Sequence, residues 1–150
     1  MARLTVNVLG RFEARITPSG RPLRLPRKKA QAILAVLAWV PGAVRSREAL
    51  IGLLWPELSQ AQSRNSFRVT LSSLRTKLIA ADIHCLRVER DTVALAPADF
   101  DSDIAAFRRQ VARGAPEDLA EAVSLYQGDL LEGFDVGEAA FDEWLSTERE

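Results

Sequence analysis

Residues 61–81 show a helical periodicity that fixes much of what this chain can form. The apolar residues Phe67, Leu71, Leu74 and Leu78 are separated by four, three and four positions. On an α-helix this spacing brings them onto one narrow stripe, which must be buried against other elements. The pattern therefore predicts a long helix with one side packed on a core and the other side facing outward.

The outward side of this helix is polar and carries no negative charge. At 100° per residue, the positions opposite the apolar stripe are Gln62, Asn65, Val69, Ser72, Ser73 and Thr76. One flank carries Arg64, Arg68 and Arg75, and the other carries Thr70 and Lys77. No aspartate or glutamate occurs between Ser59 and Ala81.

A surface of this composition has the chemistry that a DNA major groove requires. Arginine and short polar side chains reach base edges, flanking cations meet phosphates, and an outward apolar residue such as Val69 suits a thymine methyl group. A solvated helix with one exposed valine is the plain alternative. The neighbouring elements favour the DNA interpretation, because two helices joined by a turn and followed by a β-hairpin form a DNA-reading arrangement.

Alternation and turn residues predict the elements before the long helix. Three strands of a small antiparallel sheet are expected over residues 4–9, 12–16 and 22–25. Residues 27–40 follow as a helix that Pro41-Gly42 stops. Ser46 caps a second helix, with Glu48 in its first turn. That helix is predicted to end near Trp55 and to bury Leu50, Leu53 and Leu54.

Two short alternating runs after the long helix, residues 86–89 and 92–95, predict a hairpin with Arg90-Asp91 at its turn. Arg87 and Arg90 are placed to enter a minor groove or to contact the DNA backbone, with plain surface charge as the alternative. The chain up to this point predicts an α+β fold. The expected architecture is a winged helix-turn-helix with an N-terminal antiparallel sheet and a C-terminal β-hairpin wing, followed by an α-helical segment.

The composition changes over residues 97–100, and beyond this boundary we predict only helices. Their apolar residues are Ile104, Phe107 and Val111 in the first, Leu119, Val123 and Tyr126 in the second, and Phe141, Trp144 and Leu145 in the third. Gly114 ends the first, while Pro116 opens and Gly128 closes the second. The third reaches Glu150 without a capping residue, so we expect it to belong to a larger helical domain.

The net charge of zero conceals a strong asymmetry. Residues 1–95 carry 16 lysines and arginines against 6 acidic residues, a net of +10, whereas residues 96–150 carry 4 against 14, a net of −10. This suggests that the first part binds a polyanion and the second a different partner, with two ordinary solvated surfaces as the alternative. Arg27, Lys28 and Lys29 oppose the macrodipole of their helix, which hints at phosphate contact or marks an ordinary exposed terminus.

The residues that catalysis requires are scarce. The chain has one histidine, His84, and one cysteine, Cys85. Adjacent strand residues point to opposite faces, so this pair is not a nucleophile with its base, and we expect a buried Cys85 and a loop His84. No catalytic residue, metal or cofactor is expected. Asp99, Asp101 and Asp103 lack the later ligands of a calcium loop and are predicted to cap the next helix.

Membrane and secretory signals are also missing from the sequence. The longest apolar-rich run, residues 30–40, is far shorter than the ~20 residues that span a bilayer. The first residues lack the charged, apolar and cleavage-site pattern of a secretory signal, so none is expected, and a single cysteine forms no internal disulfide. We therefore expect a cytoplasmic protein with no membrane partner.

The order and spacing of several motifs resemble the bacterial SARP-type transcriptional activators. The early motifs are Leu9-Gly10-Arg11-Phe12-Glu13, Leu25-Pro26-Arg27-Lys28-Lys29-Ala30, Ser46-Arg47-Glu48-Ala49-Leu50 and Leu53-Leu54-Trp55-Pro56. That family's recognition helix is resembled by Arg64-Asn65-Ser66-Phe67-Arg68 and Leu71-Ser72-Ser73-Leu74-Arg75. The start of its bacterial transcriptional activation domain is resembled by Tyr126-Gln127-Gly128-Asp129-Leu130-Leu131-Glu132-Gly133 and Trp144-Leu145.

The resemblance implies an OmpR-like winged-helix DNA-binding domain over residues 1–97 and the first helices of an incomplete activation domain over residues 98–150. It implies a sequence-specific regulator of double-stranded DNA, an activator acting at direct repeats, whose helical part supports homodimerisation or regulatory contacts. The predicted DNA contacts are Arg64, Asn65, Arg68, Val69, Ser72, Ser73, Arg75, Thr76, Lys77, Arg87 and Arg90. The loop that would face RNA polymerase comprises Trp55, Pro56, Glu57, Leu58, Ser59 and Gln60.

Two positions depart from the usual pattern of that family. Ser73 and Thr76 stand where many members carry further basic residues. Together with the acidic helical tail, this leaves a second hypothesis open, namely a protein-interaction or regulatory module without specific DNA readout.

Overall fold

The computed structural model describes residues 2–40 and 42–149. The fold is α+β, and its strands are β1 (Arg3–Asn7), β2 (Glu13–Thr17), β3 (Arg21–Pro22), β4 (Arg45–Ser46), β5 (Leu86–Val88), β6 (Thr92–Leu95) and β7 (Phe100–Ser102). Its helices are α1 (Lys28–Trp39), α2 (Arg47–Leu54), α3 (Gln60–Ala80), α4 (Asp103–Arg113), α5 (Pro116–Leu125) and α6 (Ala139–Arg149). The predicted helix stop at Pro41 and the uncapped end at Glu150 lie outside the described residues. None of the helices in the described ranges is long and apolar enough to cross a membrane.

The first sheet has the strand order β3-β2-β1-β7. β1 pairs with β2 antiparallel, with Leu4 opposite Ile16, and with β7 parallel, with Leu4 opposite Phe100. The predicted antiparallel sheet is therefore a mixed one, and the expectation of only helices beyond residues 97–100 is wrong, because β7 reaches Ser102. A three-residue strand is too short to show alternation, and its partner lies far away in the sequence.

The second sheet contains the predicted hairpin. Glu89 N–H donates to the carbonyl of Thr92 over 2.9 Å, so Arg90 and Asp91 form the turn as expected. β4 adds a third strand in the order β4-β6-β5, with Arg45 opposite Val93. Strand β4 was not predicted, because two residues are too few to show a periodicity.

The first three helices lie within a residue or two of their predicted bounds. Ser46 Oγ accepts the Ala49 N–H over 3.0 Å, which confirms the cap of α2. The stripe of α3 is buried as predicted: Phe67, Leu71, Leu74 and Leu78. In α2, Leu50 and Leu54 are buried, but Leu53 is only half-buried and Ile51 is buried instead.

The aspartates before α4 do not cap it. Ser102 Oγ accepts the Ala105 N–H over 3.1 Å and is the cap of this helix. Asp101 instead forms an ion pair with Arg3 at 2.7 Å. Gly114 ends α4 with a φ of 72°, and Pro116 opens α5, both as predicted. α5 ends at Leu125, however, before Gly128.

Asp103 joins α4 to the first sheet. Its buried carboxylate accepts the N–H groups of Val8 and Leu9 at 2.9 and 2.8 Å. Burial raises the pKa of Asp103 above its ordinary value, and the backbone donors act against that rise. Beside it, the Leu131 N–H donates to the Val8 carbonyl and the Gly10 N–H to the Asp129 carbonyl, at 2.8 and 3.0 Å. The chain after β1 is thus bonded to the acidic part of the protein.

α6 packs against α2 and completes the link between the two parts. Phe141 and Leu145 of α6 are buried in the same apolar cluster as the residues of α1 to α3. Trp39 Nε1 donates to Glu148 over 2.8 Å, and Arg149 Nε donates to the Leu130 carbonyl over 3.0 Å. A shared core of this kind favours a fixed relation between the basic and acidic parts.

Candidate nucleic-acid interface

The outward side of α3 is uncovered by the rest of the described chain. We call its exposed residues the crest: Gln62, Asn65, Arg68, Val69, Ser72 and Thr76. Two side chains depart from the predicted arrangement. Ser73 is half-buried, and Thr70, expected on a flank, is buried. The acidic part of the chain therefore does not seal the surface on which the DNA hypothesis depends.

Arginines cluster between α3, the start of α2 and the hairpin, in two adjoining clefts that we call the hairpin-side cleft. One part, of about 160 Å³, is lined by Arg47, Arg68, Leu71, Ser72, Arg75 and Val88. The other, of about 500 Å³, is lined by Ser46, Arg47, Glu48, Ile51, Arg64, Phe67, Arg68 and Asp91. The Arg64–Glu48 pair is 3.6 Å apart with both side chains exposed, so it holds Arg64 only weakly.

Arg47 ties the hairpin turn to the two helices. Its backbone N–H donates to the Asp91 carbonyl over 2.9 Å, and its Nη2 donates to the Glu89 carbonyl over 3.0 Å. Its guanidinium lies 5.8 Å from the centre of the Phe67 ring. Its buried Nε has no hydrogen-bond partner among the described residues. Sequence reasoning missed this residue, although a cation at the first position of a helix opposes the macrodipole and is a signal in itself.

A second cleft, the α1-side cleft, lies on the other side of the crest. It has a volume of about 330 Å³ and is lined by Arg27, Lys29, Trp55, Asn65, Ser66, Val69 and Thr70. Lys29 Nζ lies 5.0 Å from the centre of the Trp55 ring and 2.9 Å from Glu138 Oε1. No acidic residue and no side-chain cap occur in the first turn of α1, so its positive end adds to the field of these cations.

The remaining predicted DNA contacts differ in whether they already bind other residues of the protein. Arg75, Lys77 and Arg90 are exposed and make no ion pair with another described residue. Arg68 Nη2 donates to Asn65 Oδ1 over 2.8 Å, which links two residues of the crest. Arg87 forms a 2.7 Å ion pair with Asp99 and donates to the His84 carbonyl. The charge of Arg87 is therefore already neutralised by Asp99 before any nucleic acid binds.

Residues 55–59 form the turn between α2 and α3, and Gln60 is the first residue of α3. Trp55 is buried and packs edge-on against Phe67, with ring centres 6.1 Å apart. It is therefore an anchor of the turn and not part of an outer surface, contrary to expectation. The exposed residues of this segment are Pro56, Glu57, Leu58, Ser59 and Gln60.

The two residues that an enzyme hypothesis would need, His84 and Cys85, lie in different environments. Cys85 is buried, and desolvation raises the pKa of its thiol to about 11, so the thiolate is scarce at neutral pH. His84 is exposed, with Nε2 2.9 Å from Asp82 Oδ1. The predictions of a buried Cys85 and a loop His84 are confirmed.

Comparison with known proteins gives a likeness of fold. No protein-family model and no curated protein sequence matches this chain. Among solved structures, the chain resembles Mycobacterium tuberculosis EmbR in complex with a low-affinity phosphopeptide, with a TM-score of 0.82 and 23% identity. The match covers 99% of this chain and 42% of the EmbR chain, so this chain spans less than half of EmbR's length. The two proteins share a mixed α+β fold.

Proposed function

We propose that this chain is a sequence-specific DNA-binding transcription regulator of the SARP type, in which α2 and α3 form a helix-turn-helix and β5 and β6 form the wing. The crest of α3 carries the proposal, because it is exposed, polar, free of acidic residues and bordered by a cationic cleft on each side. A major groove of about 12 Å admits such a helix, and its phosphates run along both walls.

In this proposal the crest reads base edges. Arg68 and Asn65, already joined by a hydrogen bond, are suited to purine edges, while Val69 contacts a thymine methyl group. Ser72 and Thr76 extend the contact along the groove.

Cations beside the crest would set the position of the duplex. Arg64, Arg75 and Lys77 meet phosphates on the groove walls, and Arg90 reaches the backbone or a minor groove from the hairpin turn. Phosphate contacts fix register and orientation without reading sequence. Half-buried Ser73 and charge-matched Arg87 take minor parts in this arrangement.

The likeness in fold to EmbR over nearly the whole chain is compatible with this proposal. We extend the proposal to activation in the cytoplasm without enzymatic chemistry, with residues 56–60 facing RNA polymerase and direct repeats as the DNA target. The helical part after residue 97 is then the start of an activation domain that supports dimerisation or regulatory contacts.

Replacing Arg68 tests the proposal most directly. Arg68→Ala should weaken binding to a recovered genomic target by about 1–3 kcal/mol, because it removes a base-edge contact. The urea midpoint should stay the same, since the side chain is exposed. Arg109→Ala, an exposed arginine on α4, is the matched control and should leave DNA affinity near that of the wild type.

Salt dependence gives a second, independent measurement. Each phosphate neutralised adds about −0.9 to the slope of log affinity against log salt. Wild-type affinity should therefore fall steeply between about 50 and 200 mM salt. An affinity that stays constant across that range contradicts the proposal.

A second candidate is a protein-interaction module without DNA readout. Exposed apolar residues on and directly after α5 favour it, since Leu119, Val123 and Tyr126 offer a surface that a protein partner would cover. A gel-shift panel of genomic fragments separates the two candidates. The second one holds if no fragment outcompetes a nonspecific duplex while a partner protein co-purifies.

A further inference from the structure

Besides the Arg87–Asp99 pair of the hairpin, one ion pair among the described residues connects the acidic part of the chain to the proposed DNA surface. Lys29 Nζ and Glu138 Oε1 are 2.9 Å apart, and the side chains are only 26% and 23% exposed. Partial burial reduces solvent screening, so this pair is stronger than one on an open surface. It also differs from the other ion pairs of the described chain, which are all formed by more exposed side chains.

Lys29 occupies a position from which a duplex on the crest can be reached. It lines the α1-side cleft together with Asn65 and Val69, two residues of the crest. It also lies at the uncapped positive end of α1, next to exposed Arg27. A phosphate that follows the groove wall on this side would meet Lys29 if its ammonium group were free.

Glu138 is held at this place by the chain around it. It directly precedes α6, and α6 packs against α2. Asp135 Oδ1 accepts the Gly137 N–H over 2.7 Å, which shapes the approach to Glu138. Lys28 lies 4.5 Å from the centre of the Phe134 ring, so the first turn of α1 contacts this segment twice.

We propose that Glu138 competes with DNA phosphate for Lys29, so that the acidic part of the chain lowers and tunes DNA affinity through this contact. The inference rests on the proposed function. A duplex must displace the Glu138 carboxylate before Lys29 can neutralise a phosphate. While Glu138 holds Lys29, binding releases one counterion fewer from the DNA than it would with Lys29 on a phosphate. Any rearrangement that lifts residues 134–138 from α1 would strengthen binding.

Glu138→Gln in the full chain tests the proposal, because it removes the charge and keeps the shape. It should tighten binding to a fixed duplex by about three- to tenfold near 0.1 M salt and steepen the salt slope by about 0.9. Lys29→Gln in that background should remove both gains. In the wild-type background it should leave the slope unchanged, because Lys29 is occupied by Glu138.

Glu143→Gln is the matched control, since it removes one exposed negative charge from α6. It should leave the slope unchanged, and Lys29 should be acylated faster in Glu138→Gln than in either the control or the wild type. The inference is overturned if Glu138→Gln and Glu143→Gln give equal slopes, or if Lys29→Gln flattens the wild-type slope. A wild-type chain that binds no duplex overturns the proposed function as well, whereas either slope result overturns the inference alone.

Discussion

The helices α3 and α5 were both predicted from the spacing of their apolar residues, but these residues are buried in α3 and exposed in α5. In α3 the apolar stripe is at most 5% exposed. In α5, Leu119 is 44% and Val123 is 73% exposed, Tyr126 directly after the helix is 51% exposed, and the buried residue is Ala122. The spacing of apolar residues therefore predicts a helix reliably, but it does not tell which side the remaining elements cover.

The difference follows from the neighbours of each helix. α3 packs against α1 and α2, so its large side chains fill the centre of the core. α5 packs mainly against α4, and its small Ala122 allows close approach there. Replacements on the two helices should consequently differ in their cost.

The largest expected effect is on the α3 stripe. Leu74→Ala should lower the free energy of unfolding by about 2–5 kcal/mol, because it leaves a cavity under a fully buried side chain. Urea denaturation of the purified chain measures this. A loss below about 1 kcal/mol would mean that α3 is not held by its stripe.

The helix caps give the next largest difference. Ser59 Oγ accepts the Gln62 N–H over 3.2 Å at the start of α3, whereas Ala115 gives α5 no side-chain cap. Ser59→Ala should cost about 1 kcal/mol and Ala115→Ser should gain several tenths, because a cap satisfies a free backbone donor. Unfolding midpoints compare the two directly, and equal shifts in the same direction would contradict the contrast.

The smallest effect is expected on the α5 stripe. Val123→Ser should change the free energy of unfolding by less than about 0.5 kcal/mol, because the side chain is exposed and the helix propensities are similar. Urea denaturation at two protein concentrations measures the change. A larger, concentration-dependent loss would show that another copy covers α5 in solution.

Much of the fold can be predicted from local pattern alone. The helices α1 to α3 and the hairpin follow from periodicity, turn residues and the cap Ser46. What the sequence does not show is pairing between distant short segments, such as β7 with β1 or β4 with β6. Strands of two or three residues contain less than one full alternation, so only the folded chain reveals them.

The candidate site divides in the same way. The crest of α3 follows from the helical wheel, since exposure opposite a buried stripe is a matter of geometry. The matched charge of Arg87, the buried Trp55 and the contacts of Arg47 depend on elements that meet only in the fold. Thr70 was predicted on an exposed flank of α3 but is buried, because the rest of the fold covers that flank and a helical wheel does not show such contacts.

The position of β1 between β2 and β7 bears on any attempt to shorten this chain. Ending the chain at residue 97, at the boundary between the basic and the acidic part, would remove β7. One edge of β1 would then lack its hydrogen-bonding partners. A newly exposed edge of a five-residue strand is a template for pairing with strands of other molecules, so the shortened piece should aggregate more readily than the whole chain.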